Sequence, residues 1–158
     1  MIKTTMASVI IMFGVIGSSW AGQSSVGASS AVERGRYLVQ IAGCNDCHTP
    51  SYAATDGKVP EVDWLTGDHL GWRGAWGTTY PANLRLFFSR ITESEWLKIA
   101  RGARYRPPMP SSVLHQLSDQ DLQAIYRFSR FLGPAGKEAP AYVPPGGEPL
   151  GPVVQFPM

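Results

Sequence analysis

The sequence predicts an all-α protein with one folded domain. Three observations predict it. Apolar residues recur at helical spacing after residue 32 and again before residue 133. A helix-start signature stands at Thr92-Glu93-Ser94-Glu95. No long run alternates apolar and polar residues, and no βαβ pattern is visible. The chain has 158 residues, enough for one domain and short flanking segments. Hydrophobic residues make up 44%, so a buried core is possible, while 17 Gly and 13 Pro forecast much irregular backbone.

Residues 1–21 read as an export signal. Lys3 supplies a positive start, Met6 to Ile16 is apolar, and Ser19-Trp20-Ala21 is a small-x-small cleavage site. Cleavage after Ala21 starts the mature chain at Gly22. The apolar run is shorter than the roughly 20 residues that span a bilayer. The competing reading is an uncleaved anchor. Export predicts a periplasmic setting without stable membrane insertion of the mature chain.

Residues 22–31 are small and polar and read as a flexible leader. A helix is expected from Val32 to Gly43, with Tyr37, Leu38 and Ile41 on its apolar face. Residues 49–90 contain Pro50, Pro60, Pro81 and five glycines, and read as a long wrapped loop. Thr92 and Glu95 form a capping box that opens a short helix through Trp96, Ile99 and Ala100, with Gly102 as its stop. Ser118 to Asp121 opens a last helix carrying Leu122, Ile125, Tyr126, Ser129 and Leu132, ended by Gly133-Pro134. Gly35 and Tyr126 are candidates for a close contact between the first and last helices. The domain is therefore 32–133, and the Pro/Gly-rich tail 134–158 is expected to lie extended on the surface.

Chemistry concentrates in Cys44-Asn45-Asp46-Cys47-His48. The C-x-x-C-H spacing is that of covalent haem attachment. Two thiols add to two haem vinyl groups, and the following histidine reaches the iron. A redox-active C-x-x-C calls for a thioredoxin-like βαβ context, which is missing. A structural zinc site calls for four ligands, and the chain holds two cysteines. The reading is one haem c, bound through Cys44 and Cys47, with His48 as the proximal iron ligand.

Met109 lies in Arg106-Pro107-Pro108-Met109-Pro110, where prolines stiffen the loop around the thioether. It is the candidate second axial ligand, with His115 and His69 as rivals. Trp64, Trp72, Trp76 and Tyr80 are interleaved through the long loop. Either they pack on a haem edge, or they form a small core of their own, or both. The candidate haem contacts among them are Trp76 and Tyr80.

Formal charge is +2 overall, which argues against binding nucleic acid through phosphates. Its distribution is uneven: residues 44–72 carry −4 and residues 73–106 carry +5. The bland reading is solvated surface. The functional one is that arginines of the second segment, Arg104 among them, face haem propionates or a partner.

From Glu33 to Leu132 the chain resembles a class I c-type cytochrome. The stretches GRYLVQIAGCNDCHTP, Leu65-Thr66-Gly67, YPANL, Arg106-PPMP and LSDQDLQAIYRF are similar to bacterial cytochromes related to the haem subunits of periplasmic alcohol and aldehyde dehydrogenases. The resemblance implies a cytochrome c fold, with helices around one haem and His48 and Met109 as axial ligands. It also implies a proline carbonyl bonded to the proximal histidine, for which Pro60 is the candidate, ahead of Pro50. One haem motif stands here where those subunits carry three, and Leu84-Arg85 replaces their Ile/Leu-Thr pair.

The function expected is electron transfer, one electron at a time, between redox partners. These would be a periplasmic dehydrogenase or oxidoreductase and a downstream cytochrome or oxidase. The alternatives are a haem subunit within such a complex, or a haem enzyme or sensor with an open sixth site.

Overall fold

The computed structural model describes residues 22–157, so the export signal and its cleavage site lie outside the described residues. Among the described residues, six helices, two single turns of 3₁₀ helix and a small three-stranded sheet follow one another. They are α1 (Gly22–Ile41), α2 (Cys44–His48), the 3₁₀ turns at Ala53–Thr55 and Glu61–Asp63, β1 (Gly71–Gly74) and β2 (Gly77–Thr79). Then come α3 (Leu84–Ser89), α4 (Glu93–Gly102), α5 (Ser111–Gln116), α6 (Asp119–Leu132) and β3 (Val153–Gln155). Among the described residues, no helix is long and apolar enough to cross a membrane.

α1 and α6 form the main helix pair. Gly35 is what lets them approach. A Cβ at that position would lie 2.1 Å from the Ala124 carbonyl oxygen and 2.6 Å from the Phe128 Cβ, so only glycine fits the notch between these residues. The partner of Gly35 is therefore Ala124 and Phe128, not Tyr126. The Tyr126 hydroxyl instead donates to the Ile91 carbonyl at 3.0 Å. This close approach also fixes how α1 is rotated. Leu38 and Val39 face inward, whereas Tyr37 and Ile41 are 50% and 60% exposed. The apolar face of α1 is thus displaced from the one the spacing suggested. The helix also begins ten residues before Val32, within the stretch read as a flexible leader.

The caps stand where the sequence placed them. Thr92 accepts from the Glu95 backbone N–H, and the Glu95 carboxylate accepts from Thr92 N at 2.7 Å. Ser118 accepts from Asp121 N at 3.1 Å and opens α6. At the other end of α6 the last carbonyls are satisfied by a distant side chain. Arg85, only 5% exposed, donates to the carbonyls of Leu132 and Gly133 and, at 2.5 Å, to that of Val62. Its burial holds the guanidinium below its ordinary pKa.

The long loop and the tail are more ordered than their composition suggested. Residues 71–79 form a hairpin in which Trp72 pairs with Thr79 and Gly74 with Gly77. β3 of the tail adds beside β1 in parallel, with Trp72 opposite Val154, and the sheet order is β2-β1-β3. The chain is mainly helical, with this sheet as an addition to the all-α expectation. One core joins Val39, Trp64, Leu65, Phe88, Trp96, Leu122, Ile125 and Phe128.

Candidate functional site

The site begins at the α1–α2 junction. α2 is one short helix, so Cys47 and His48 lie about one turn beyond Cys44, on the same side. Thr49 ends it and anchors it: its hydroxyl accepts from Leu65 N at 2.8 Å and donates to the Asn45 side chain at 2.9 Å. The His48 carbonyl accepts from Gly67 N at 2.8 Å. These bonds join the motif to the loop at residues 65–67.

The His48 ring is oriented by a backbone carbonyl. Nδ1 lies 2.7 Å from the Ala82 oxygen. A carbonyl can only accept, so Nδ1 carries the proton and Nε2 is left with a free electron pair. Burial pushes the imidazole below its ordinary pKa, opposed by the bond to Ala82. Burial thus favours the neutral ring, which is the metal-ligating form. The resemblance had assigned this carbonyl to Pro60. That assignment is corrected: the Pro60 oxygen accepts from Asp63 N at 2.9 Å and caps a 3₁₀ turn.

Both thiols are free. Burial pushes Cys44 up to about 11, and the nearby Asp46 carboxylate and Cys47 add to the shift. Cys47 is raised too, by burial and then by Asp46 and Asp68. A dithiol redox centre depends on a lowered thiol pKa. The environment here does the reverse.

Cys44, Cys47, His48 and Met109 line one cavity of about 360 Å³. That is within the range of about 300–1,000 Å³ usual for cofactor and small-molecule sites. Its walls are mostly apolar. α3 and α4 supply Phe87, Phe88 and Trp96, with the Phe88 and Trp96 rings edge to face at 4.9 Å. Trp96 is fixed by its indole N–H, which donates to the Leu122 carbonyl at 2.8 Å. α5 and α6 supply Leu114 and Ile125. Met109 itself is half-buried and packs against the core.

The other predicted contacts divide. Tyr80 lines the cavity, and its hydroxyl accepts from Leu150 N at 2.6 Å. Trp76 does not line it. Its ring lies 5.3 Å from Phe156 in a small aromatic group with Trp72, and it is Trp72 that reaches the cavity wall. Trp64 belongs to the main core, edge to face with Tyr52 and Phe128. Arg104 is absent from the walls, and the arginine that lines them is Arg106. Neither rival histidine lines the cavity. His115 is turned to the Ala103 carbonyl, 3.1 Å from its Nε2.

Sequence reasoning missed Ala82 because its contribution is a backbone oxygen, which no side-chain identity reveals. Among the described residues, no three His, Cys, Asp or Glu side chains group as a metal cluster. No family model, curated protein or solved structure matches the chain.

Proposed function

We propose that this chain is an exported single-haem c-type cytochrome that carries one electron at a time between redox partners. The observation that carries the reading is the meeting in one apolar cavity of both motif thiols, a histidine whose Nδ1 is held by the Ala82 carbonyl, and the Met109 thioether. These donors suit haem c. Cys44 and Cys47 would tether it, each S–H adding across one vinyl group with no atom lost. His48 and Met109 would hold its iron. Bound there, the haem supplies a one-electron iron couple.

The chain's own residues do the rest. Ala82 fixes the tautomer and plane of His48, and so its basicity. The Phe87, Phe88 and Trp96 wall makes the cavity apolar, and with a thioether ligand it would raise the potential of a haem held there. The partners are redox proteins: a periplasmic dehydrogenase or oxidoreductase on one side, a cytochrome or oxidase on the other.

The test is maturation of the full chain in a host that attaches haem c. A pyridine haemochrome assay should report one covalent haem per chain, and none for a Cys44→Ala, Cys47→Ala double variant. The oxidised protein should show the near-infrared sulfur-to-iron charge-transfer band, and Met109→Ala should abolish it and lower the potential. No covalent haem in wild type ends the cytochrome reading. Covalent haem without the band, and with ready carbon monoxide binding, points instead to a haem enzyme or sensor with an open site.

A further inference from the structure

The Met109 loop, residues 103–110, joins α4 to α5 without regular structure. Pro107, Pro108 and Pro110 have no N–H to donate, so this loop cannot be held by an ordinary ladder of main-chain bonds. Its attachment to the rest of the molecule has to use carbonyls and side chains. Two such contacts tie it to the hairpin and the tail. The Thr79 hydroxyl donates to the Pro107 carbonyl at 2.9 Å, from the hairpin. The Arg106 guanidinium lies over the Tyr142 ring, 3.8 Å from its centroid, and Tyr142 belongs to the C-terminal tail.

Tyr142 is itself firmly placed. Its hydroxyl donates to the Trp76 carbonyl at 2.8 Å. The next residue, Val143, exchanges both backbone bonds with buried Thr78, at 2.8 and 3.0 Å. Gly77 makes room for this: a Cβ there would lie 2.3 Å from the Val143 oxygen, and its φ is +93°. Tyr142, Arg106, Thr79 and Met109 all line the same cavity. The tail is therefore part of the cavity wall.

We infer that Tyr142 and Arg106 form a latch by which the C-terminal tail positions the Met109 loop, so that Tyr142 is a positioning residue for the sixth iron ligand. The inference rests on the haem reading above. Removing one exposed cation–π contact should shift the ratio of detached to attached loop about two- to fivefold. A detached loop withdraws the thioether, and the sixth position then opens to small ligands.

The experiment uses full-length holoprotein: wild type, Tyr142→Leu, Tyr142→Phe and Arg106→Gln. Three readouts are taken: the near-infrared band of the oxidised form, the rate of carbon monoxide binding to the reduced form, and the reduction potential. Y142L and R106Q should weaken the band, bind carbon monoxide about two- to fivefold faster than wild type and lower the potential. Y142F keeps the ring over Arg106 and should recover most of what Y142L loses. Arg106 is exposed, so R106Q stands in should Y142L fail to mature. If wild type shows the band and both Y142L and R106Q match it in all three readouts, the latch is overturned and Met109 ligation stands. If wild type lacks the band, Met109 ligation falls and the latch falls with it.

Discussion

The α1–α6 side of the molecule and the wall made by hairpin, Met109 loop and tail are held together in different ways. On the first side, side chains interdigitate: Val39, Leu122 and Phe128 are fully buried, and Gly35 seats α1 in a notch of α6. On the second, half-exposed segments are joined one hydrogen bond or stacked ring at a time, as at Thr79–Pro107, Arg106–Tyr142 and Tyr80–Leu150. Close packing is cooperative and intolerant, so damage there is paid in global stability. Directional contacts are separable, so damage there changes the position of a loop more than the survival of the fold. The helical side makes the scaffold, and the other side sets the geometry of the cavity.

The sharpest way to break this division is Gly35→Ala. A single methyl placed 2.1 Å from the Ala124 oxygen forces α1 and α6 apart. Overpacking of this kind costs about 1–3 kcal/mol, and the upper end is expected because the obstructing atom is backbone. Chemical unfolding should show a lower midpoint with an unchanged slope. An unchanged midpoint would mean that the notch is not tight, and the contrast between the two sides would lose its main support.

Asn83 joins the two regions and gives the next largest effect. It is 1% exposed. Its side-chain oxygen caps α3 by accepting from Leu86 N at 3.0 Å. Its amide donates to the tail carbonyls of Ala135 and Lys137 at 2.8 and 3.1 Å. Asn83→Ala removes both roles and should cost about 2 kcal/mol. Asn83→Asp keeps the cap acceptor but turns an acceptor toward two carbonyls, so it separates them. Proteolysis of the tail should accelerate in both variants, whereas α3 should remain protected from amide exchange only in N83D. Equal tail cleavage in wild type and N83D would mean that the amide does not fasten the tail.

Legibility in the sequence followed the same division. The caps at Thr92 and Ser118 were readable because partner and cap lie three residues apart. α6 was readable because its buried positions repeat at helical spacing. The face of α1 was not, because its rotation is set by where Gly35 meets Ala124, a contact between distant parts of the chain. The hairpin strands are only four and three residues long, too short to show alternation, and β3 arrives from the tail. Cys44, Cys47 and His48, named from their spacing, and Met109, named from its flanking prolines, line one cavity together. Pro60 was assigned to a role that Ala82 fills, and Trp76 and Arg104 were named where Trp72 and Arg106 line the wall. Those errors share a cause: each depends on which way a loop folds back, and loop composition does not encode that direction.

The smallest expected effect probes the helical side through charge. Arg34 of α1 meets Asp121 of α6, Nε to Oδ1 at 2.9 Å, across the same interface that Gly35 brings together. The hydrogen bond from Arg34 holds the Asp121 carboxyl below its ordinary pKa, with Ser118 assisting. A carboxylate whose folded pKa is depressed adds stability that is complete above its unfolded pKa and is lost as pH falls through the folded one. Asp121→Asn should therefore cost about 0.2–1 kcal/mol near neutral pH, the range of exposed ion pairs. The cost should shrink as the medium is acidified below about pH 4, where the wild-type carboxylate takes up its proton. It should also shrink in high salt. The cap bond from the Asp121 backbone N–H to Ser118 does not use the carboxylate and is kept by this change. A penalty that persisted unchanged in acid would mean that Asp121 acts by packing, and the α1–α6 interface would then owe nothing to its charges.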